Sequence, residues 1–199
     1  MIDGMVMTST PRHMAIAISL AHGSQAERET REQLQRLLGT YDLQPWQFTD
    51  RVVIDQQAIP HSHPVLTLHT RHLDDDVLLL STYLHEQLHW FIMAQADDKV
   101  EPAIAALEER YPHVPVGFPK GAETVLSSYF HYIICYLEYL VLRQVVGEEE
   151  AQRVMDFWQR DHYTEIYQTV MQDTDAIGTI VTCHGLTVSV PSWTRPARL

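Results

Sequence analysis

Residues 77–93 are apolar except at Ser81, Thr82 and the polar members of His85-Glu86-Gln87-Leu88-His89. A run that is apolar on nearly every side predicts a buried helix, here about 75–95. Asp74-Asp75-Asp76 gives it an acidic, capped start suited to the positive end of the helix dipole. Upstream, Ser24 and Glu27 form a capping box and Gly39 supplies a stop, so 25–38 predicts a helix with one solvated face. Residues 48–55 and 65–70 read as short strands, joined by 58–64 with its two prolines. Pro102 is placed to open a helix ending at Arg110, and 111–121 is a Pro/Gly loop. A long helix follows over 122–145, closed by Gly147. Helical sequence continues over 148–173 with a break near Asp161. Residues 179–183 and 186–190 look like strands, and 191–199 like a tail. Without repeats or low-complexity segments, this order predicts one α+β domain over 1–199.

Composition narrows the function classes. The net charge of −12 argues against nucleic acid or an anionic membrane as the main partner. Two cysteines, Cys135 and Cys183, are too few for a disulfide scaffold, which fits a reduced, cytoplasmic setting. The apolar stretch 13–22 is short and lacks a basic start, so no signal peptide is expected there. The run 77–93 is too short, and too polar at its centre, to span a membrane. Among twelve histidines, His61 and His63 form a small cluster, read as solvated loop residues.

The chemistry concentrates in residues 85–89, a His-Glu-x-x-His pattern. Four positions apart on a helix, His85 and His89 project from one face about one turn apart, so two nitrogens can meet one Zn²⁺. Glu86, beside the first ligand, can reach a metal-bound water as general base. Burying this pattern in an apolar helix is costly unless partners are supplied, and a metal with its water supplies them.

Strands followed by a His-Glu-x-x-His helix, then a second ligand-bearing helix, resemble the zincin metallopeptidases. Their gluzincin-type minimal catalytic domains are the nearest comparison. The specific resemblance covers 85–89, and the looser order of elements covers roughly 48–145. It implies a small zincin-like domain with His85 and His89 as zinc ligands and Glu86 as general base and proton shuttle. The metzincin extension is missing, because Trp90-Phe91-Ile92-Met93 follows the second histidine. A Glu-x-x-x-Asp motif is missing after residue 121.

Catalytic zinc usually keeps three protein ligands and one open position. On the helix 122–145, the residues Thr124, Ser127, Ser128, His131, Cys135 and Glu138 fall in one stripe. His131 is the favoured third ligand and Glu138 the alternative, with Glu123, His162 and Glu165 behind them. His131 and Glu138 lie about 10 Å apart along the axis, so only one can join the motif pair. The other becomes a partner behind the ligands or an electrophile facing substrate. Cys135 is read as a small buried residue. His162, Tyr163 and Tyr167 are candidates to stabilise an oxyanion.

The expected protein is a zinc metallohydrolase with one ion per chain, acting on peptides or proteins. Strand 65–70 could receive an extended peptide at a sheet edge, with loop 111–121 bordering the cleft. The alternatives are an inactive, zinc-stabilised interaction domain and a hydrolase of a non-peptide amide.

Overall fold

The computed structural model describes residues 15–94 and 96–188. The expected tail at 191–199 lies outside the described residues. The elements run β1 (Ala17–Leu20), α1 (Gln25–Thr40), β2 (Arg51–Ile54), β3 (Leu66–Leu68), α2 (Asp76–Ala94), α3 (Ala96–Arg110), α4 (Val125–Val145), α5 (Glu148–Asp161), α6 (Thr164–Gln172) and α7 (Thr174–Cys183). The chain is thus a mixture of helix and a small parallel sheet, with helices dominant.

The sheet has the order β1-β2-β3, with Val52 opposite both Ile18 and Leu66, and Ile54 opposite both Leu20 and Leu68. Parallel neighbours need a crossover. Between β1 and β2 this is α1, opened by the expected capping box of Ser24 and Glu27. That helix runs past Gly39 to Thr40, one step beyond the predicted stop. Between β2 and β3 the chain returns without a helix through residues 55–65. Part of that return pairs with β3: His61 N–H donates to the Thr67 carbonyl and Thr67 N–H to the His61 carbonyl. The edge expected to receive a peptide strand is therefore closed at Thr67 by the chain itself.

Helix α2 leaves β3 through a cap in which the Asp75 carboxylate accepts from the Val77 and Leu78 amides, both at 3.0 Å. Gln33 and Arg36 of α1 bind Asp76 and fix the start of α2 against α1. On the side facing the segment that leads into β2, Gln87 accepts from the Phe48 and Thr49 amides and donates to the Thr49 carbonyl and the Tyr83 hydroxyl. That buried amide is fully satisfied, which sets the rotation of α2 and turns His85, Glu86 and His89 the other way. Helix α4 packs on α2, α3, α5, α6 and α7. It is long and apolar enough to cross a membrane, yet 72% of its apolar window is buried inside the protein. Its neighbours in the core account for that apolarity.

Three expectations are corrected. Residues 179–183 lie in α7, not a strand: Ile177 and Val181, four apart, are buried on one helix face. Gly178 lets the Tyr136 ring approach where any side chain would collide with it. Residues 186–188 form no strand, and 189–190 lie outside the described residues. Pro102 sits inside α3, which begins six residues earlier at Ala96, with its ring on an exposed face. Conversely, the apolar stretch 13–22 contains β1, which no periodicity announced.

Candidate metal centre

The site forms where α2 crosses α4. His85 and His89 come from consecutive turns of α2, and His131 from the facing side of α4. The three rings form a near-equilateral triangle, with centroids 5.1 Å (His85–His89), 5.6 Å (His85–His131) and 5.2 Å (His89–His131) apart. One nitrogen from each lies within 4.8 Å of the others. Two imidazoles on one tetrahedral zinc stand about 3.4 Å apart, so ring rotations of about 1 Å would close the set on an ion.

Hydrogen bonds select the free nitrogens. A carbonyl can only accept, so the Nδ1 of His131 donates to the Ser127 carbonyl at 2.6 Å. A carboxylate likewise accepts, so the Nδ1 of His85 donates to Glu138 at 2.9 Å. In the neutral rings both lone pairs then sit on Nε2, the tautomer a metal requires. Burial, reinforced by the neighbouring rings, pushes His89 down to about 2 and His131 down to about 3, so both stay neutral. Burial opposes charge on His85 as well, but its hydrogen bond to Glu138 and the charges of Glu138 and Glu86 hold it above the usual value.

Glu138 is the anchor behind the histidine cluster. It is 0% exposed. It accepts from His85, from the Tyr167 hydroxyl at 2.8 Å and from the Ser81 hydroxyl, which in turn accepts from Trp158 Nε1 at 2.8 Å. Helices α2, α4, α5 and α6 therefore converge on one carboxylate. Seven residues separate it from His131, so it reaches the far nitrogen of His85 while His131 stands beside the near one. Cys135 lies between them, fully buried, its thiol pushed well up by burial. With His85 and Glu138 it forms a second cluster of ligand-capable atoms within 4.8 Å.

Glu86 differs from Glu138. The residue is 6% exposed and lines the cavity, and its carboxyl takes no hydrogen bond from a described residue. Burial pushes it up to about 7, against the lowering influence of His85 and His61.

The cavity over these groups has a volume of about 680 Å³. His162, Tyr163 and Tyr167 all line it, as does Glu123. Glu165 pairs instead with Lys120 at the surface. His162 donates from Nδ1 to Asp161 at 2.9 Å, and Asp161 also binds Arg71 at 2.6 Å. Tyr163 caps α6 in the left-handed region, at φ 52°, with its ring 4.3 Å from that of His131. Such a conformation in a bulky residue costs about 1–3 kcal/mol and concentrates at functional sites.

His61, expected as a solvated loop residue, is exposed but also lines the same cavity, with its Nδ1 tied to the Ile59 carbonyl at 2.8 Å. His63 stacks on Trp90 at 4.1 Å. The prolines at 60 and 64 hinted at a fixed segment. No local pattern showed which way it faced.

The geometry is therefore that of three imidazoles, an unpaired buried carboxyl and a lined cavity sharing one side of α2. Comparison with protein-family models, curated proteins and solved structures finds no match.

Proposed function

We propose that the protein is a zinc-dependent hydrolase of the zincin type, cleaving peptide bonds at the α2–α4 crossing. The observation that carries this reading is the three-histidine cluster with the unpaired Glu86 carboxyl on the same cavity wall. Three imidazoles suit zinc, whereas magnesium and calcium favour carboxylate-rich sites. The ligands are His85, His89 and His131. Glu138 orients His85 and is not itself a ligand.

A zinc ion held there supplies Lewis acidity, polarising a carbonyl and lowering the pKa of a bound water. Glu86 removes the proton from the attacking water and returns it to the leaving nitrogen. The oxyanion needs a donor, and the two candidates differ in protonation. Burial holds His162 below its usual value and its Nδ1 proton is committed to Asp161, so its neutral Nε2 can only accept. Burial and nearby negative charge push the Tyr163 phenol up to about 12, so it keeps its proton and can donate. Tyr163 is the assigned oxyanion donor.

The test is metal analysis of protein purified without chelator, followed by a peptide-library assay of wild type and Glu86→Gln. One zinc per chain, cleavage by wild type, and loss of cleavage with zinc retained in the variant support the reading. Zinc retained without cleavage of any peptide would leave a metal-stabilised interaction domain or an enzyme acting on another amide.

A further inference from the structure

Six large apolar side chains are exposed among the described residues, and five of them, all but Met93, lie in or beside two connections. Ile59 and Phe118, each 84% exposed, both line the cavity of the candidate centre. Val116 shares the Phe118 loop, and Val125 and Leu126 begin α4 just beyond it. Single exposed apolar residues need no explanation, but a group around one cavity does.

Phe118 is not exposed through slackness. Its loop is stapled at both ends: Gly117 N–H donates to the Ala122 carbonyl at 2.8 Å, and the Ser128 hydroxyl donates to the Pro115 carbonyl at 2.6 Å. Thr164 and Glu165 amides donate to the Pro119 and Lys120 carbonyls, binding the loop to the start of α6 beside Tyr163. Gly121 is required, since any side chain there would strike the Pro115 backbone. Ile59 is held likewise, through its carbonyl bond to His61 and the pairing of His61 with Thr67. Two braced connections each present a large apolar side chain beside the same reacting centre. Charge disfavours acidic side chains. Glu86, Glu123, Glu138 and Asp161 line the cavity, and the lining Arg71 is already paired with Asp161.

We infer that the cleft selects extended peptides with bulky apolar side chains next to the bond to be cut, gripped by Phe118 and Ile59. This rests on the hydrolase reading in taking the three-histidine centre as the reacting point. Burying one such side chain is worth roughly a tenfold change in binding.

The test uses binding, so that it stands apart from turnover. Capped hexapeptides with a central Phe-Leu or a central Ser-Asp are titrated into the Glu86→Gln protein and followed by NMR, with zinc content measured separately. The expected result is at least tenfold tighter binding of the apolar peptide. That preference should fall about tenfold in Phe118→Ser and again in Ile59→Ser. Equal binding of the two peptides, no binding of either, or a preference untouched by both substitutions would overturn the inference. Tighter binding of a fatty-acyl amide than of either peptide would overturn it in favour of a lipid substrate. If the apolar peptide binds as expected but wild-type, zinc-loaded protein cuts nothing, the hydrolase reading fails and the selectivity stands.

Discussion

Two buried glutamates flank His85, and the protein treats them in opposite ways. Glu138 accepts from three side chains on two other helices, α2 and α6, so its carboxylate is held by partners inside the fold. Glu86 is almost as buried, yet the fold gives its carboxyl no hydrogen bond from a described residue and leaves it facing a cavity. A fold that needed both only for structure would satisfy both, because an unpaired buried carboxyl is expensive. The contrast separates a group that holds the site together from the group the proposed reaction would use.

That separation can be broken most forcefully at Glu86. Substituting Glu86→Gln should lower hydrolysis by roughly 10²–10⁴-fold while zinc content stays at one per chain. Steady-state assays alongside elemental analysis check this, and turnover near wild type would remove Glu86 as the base. The ligands come next. His131→Ala should cut zinc affinity as sharply as His89→Ala, measured by competition with a chromophoric chelator. A His131→Ala protein that binds zinc like wild type would move the third ligand elsewhere.

Glu138 should show the complementary pattern. Glu138→Ala should weaken zinc by about 10–100-fold, as expected of a partner behind a ligand. It should also destabilise the zinc-free fold by about 3 kcal/mol in urea denaturation, because His85, Tyr167 and Ser81 all lose their acceptor. Glu86→Gln should cost the zinc-free fold little or nothing. Equal destabilisation by the two substitutions would erase the distinction between them.

A smaller effect comes from His72, buried on the cavity wall against Phe157 and Trp158. Burial, aided by the Arg71 charge, pushes it down to about 4 from the usual 6.5. Above pH 6.5 it is neutral in both folded and unfolded chains and has no effect. Between 6.5 and 4 the unfolded chain takes up the proton and the folded one does not, so stability falls as pH falls through that window. Urea midpoints at pH 7.5 and pH 5 should therefore differ less in His72→Gln than in wild type.

The motif pair was legible because its geometry is local: two histidines four apart on a helix must share a face. The helix itself was legible from its apolar run and its Asp75 cap. His131 and Glu138 were both legible from one stripe of α4, with His131 the favoured third ligand and Glu138 the alternative. Which of them meets the motif depends on the register of α4 against α2, a tertiary fact. His61 was missed because its approach is set by pairing with Thr67, which leaves no periodic trace in so short a segment. The α7 error has a different cause. Thr179, Ile180, Val181 and Thr182 have strong strand propensity, and it was overridden by burial of Ile177 and Val181 on one helix face. Propensity is a weak guide where core contacts decide.

X-ray absorption at the zinc edge of the loaded, substrate-free protein should show three imidazole nitrogens and one water oxygen at about 2.0–2.1 Å, with no sulfur. A sulfur scatterer near about 2.3 Å would place the metal in the Cys135–Glu138 cluster instead and contradict the assignment of Glu86 as the base facing it.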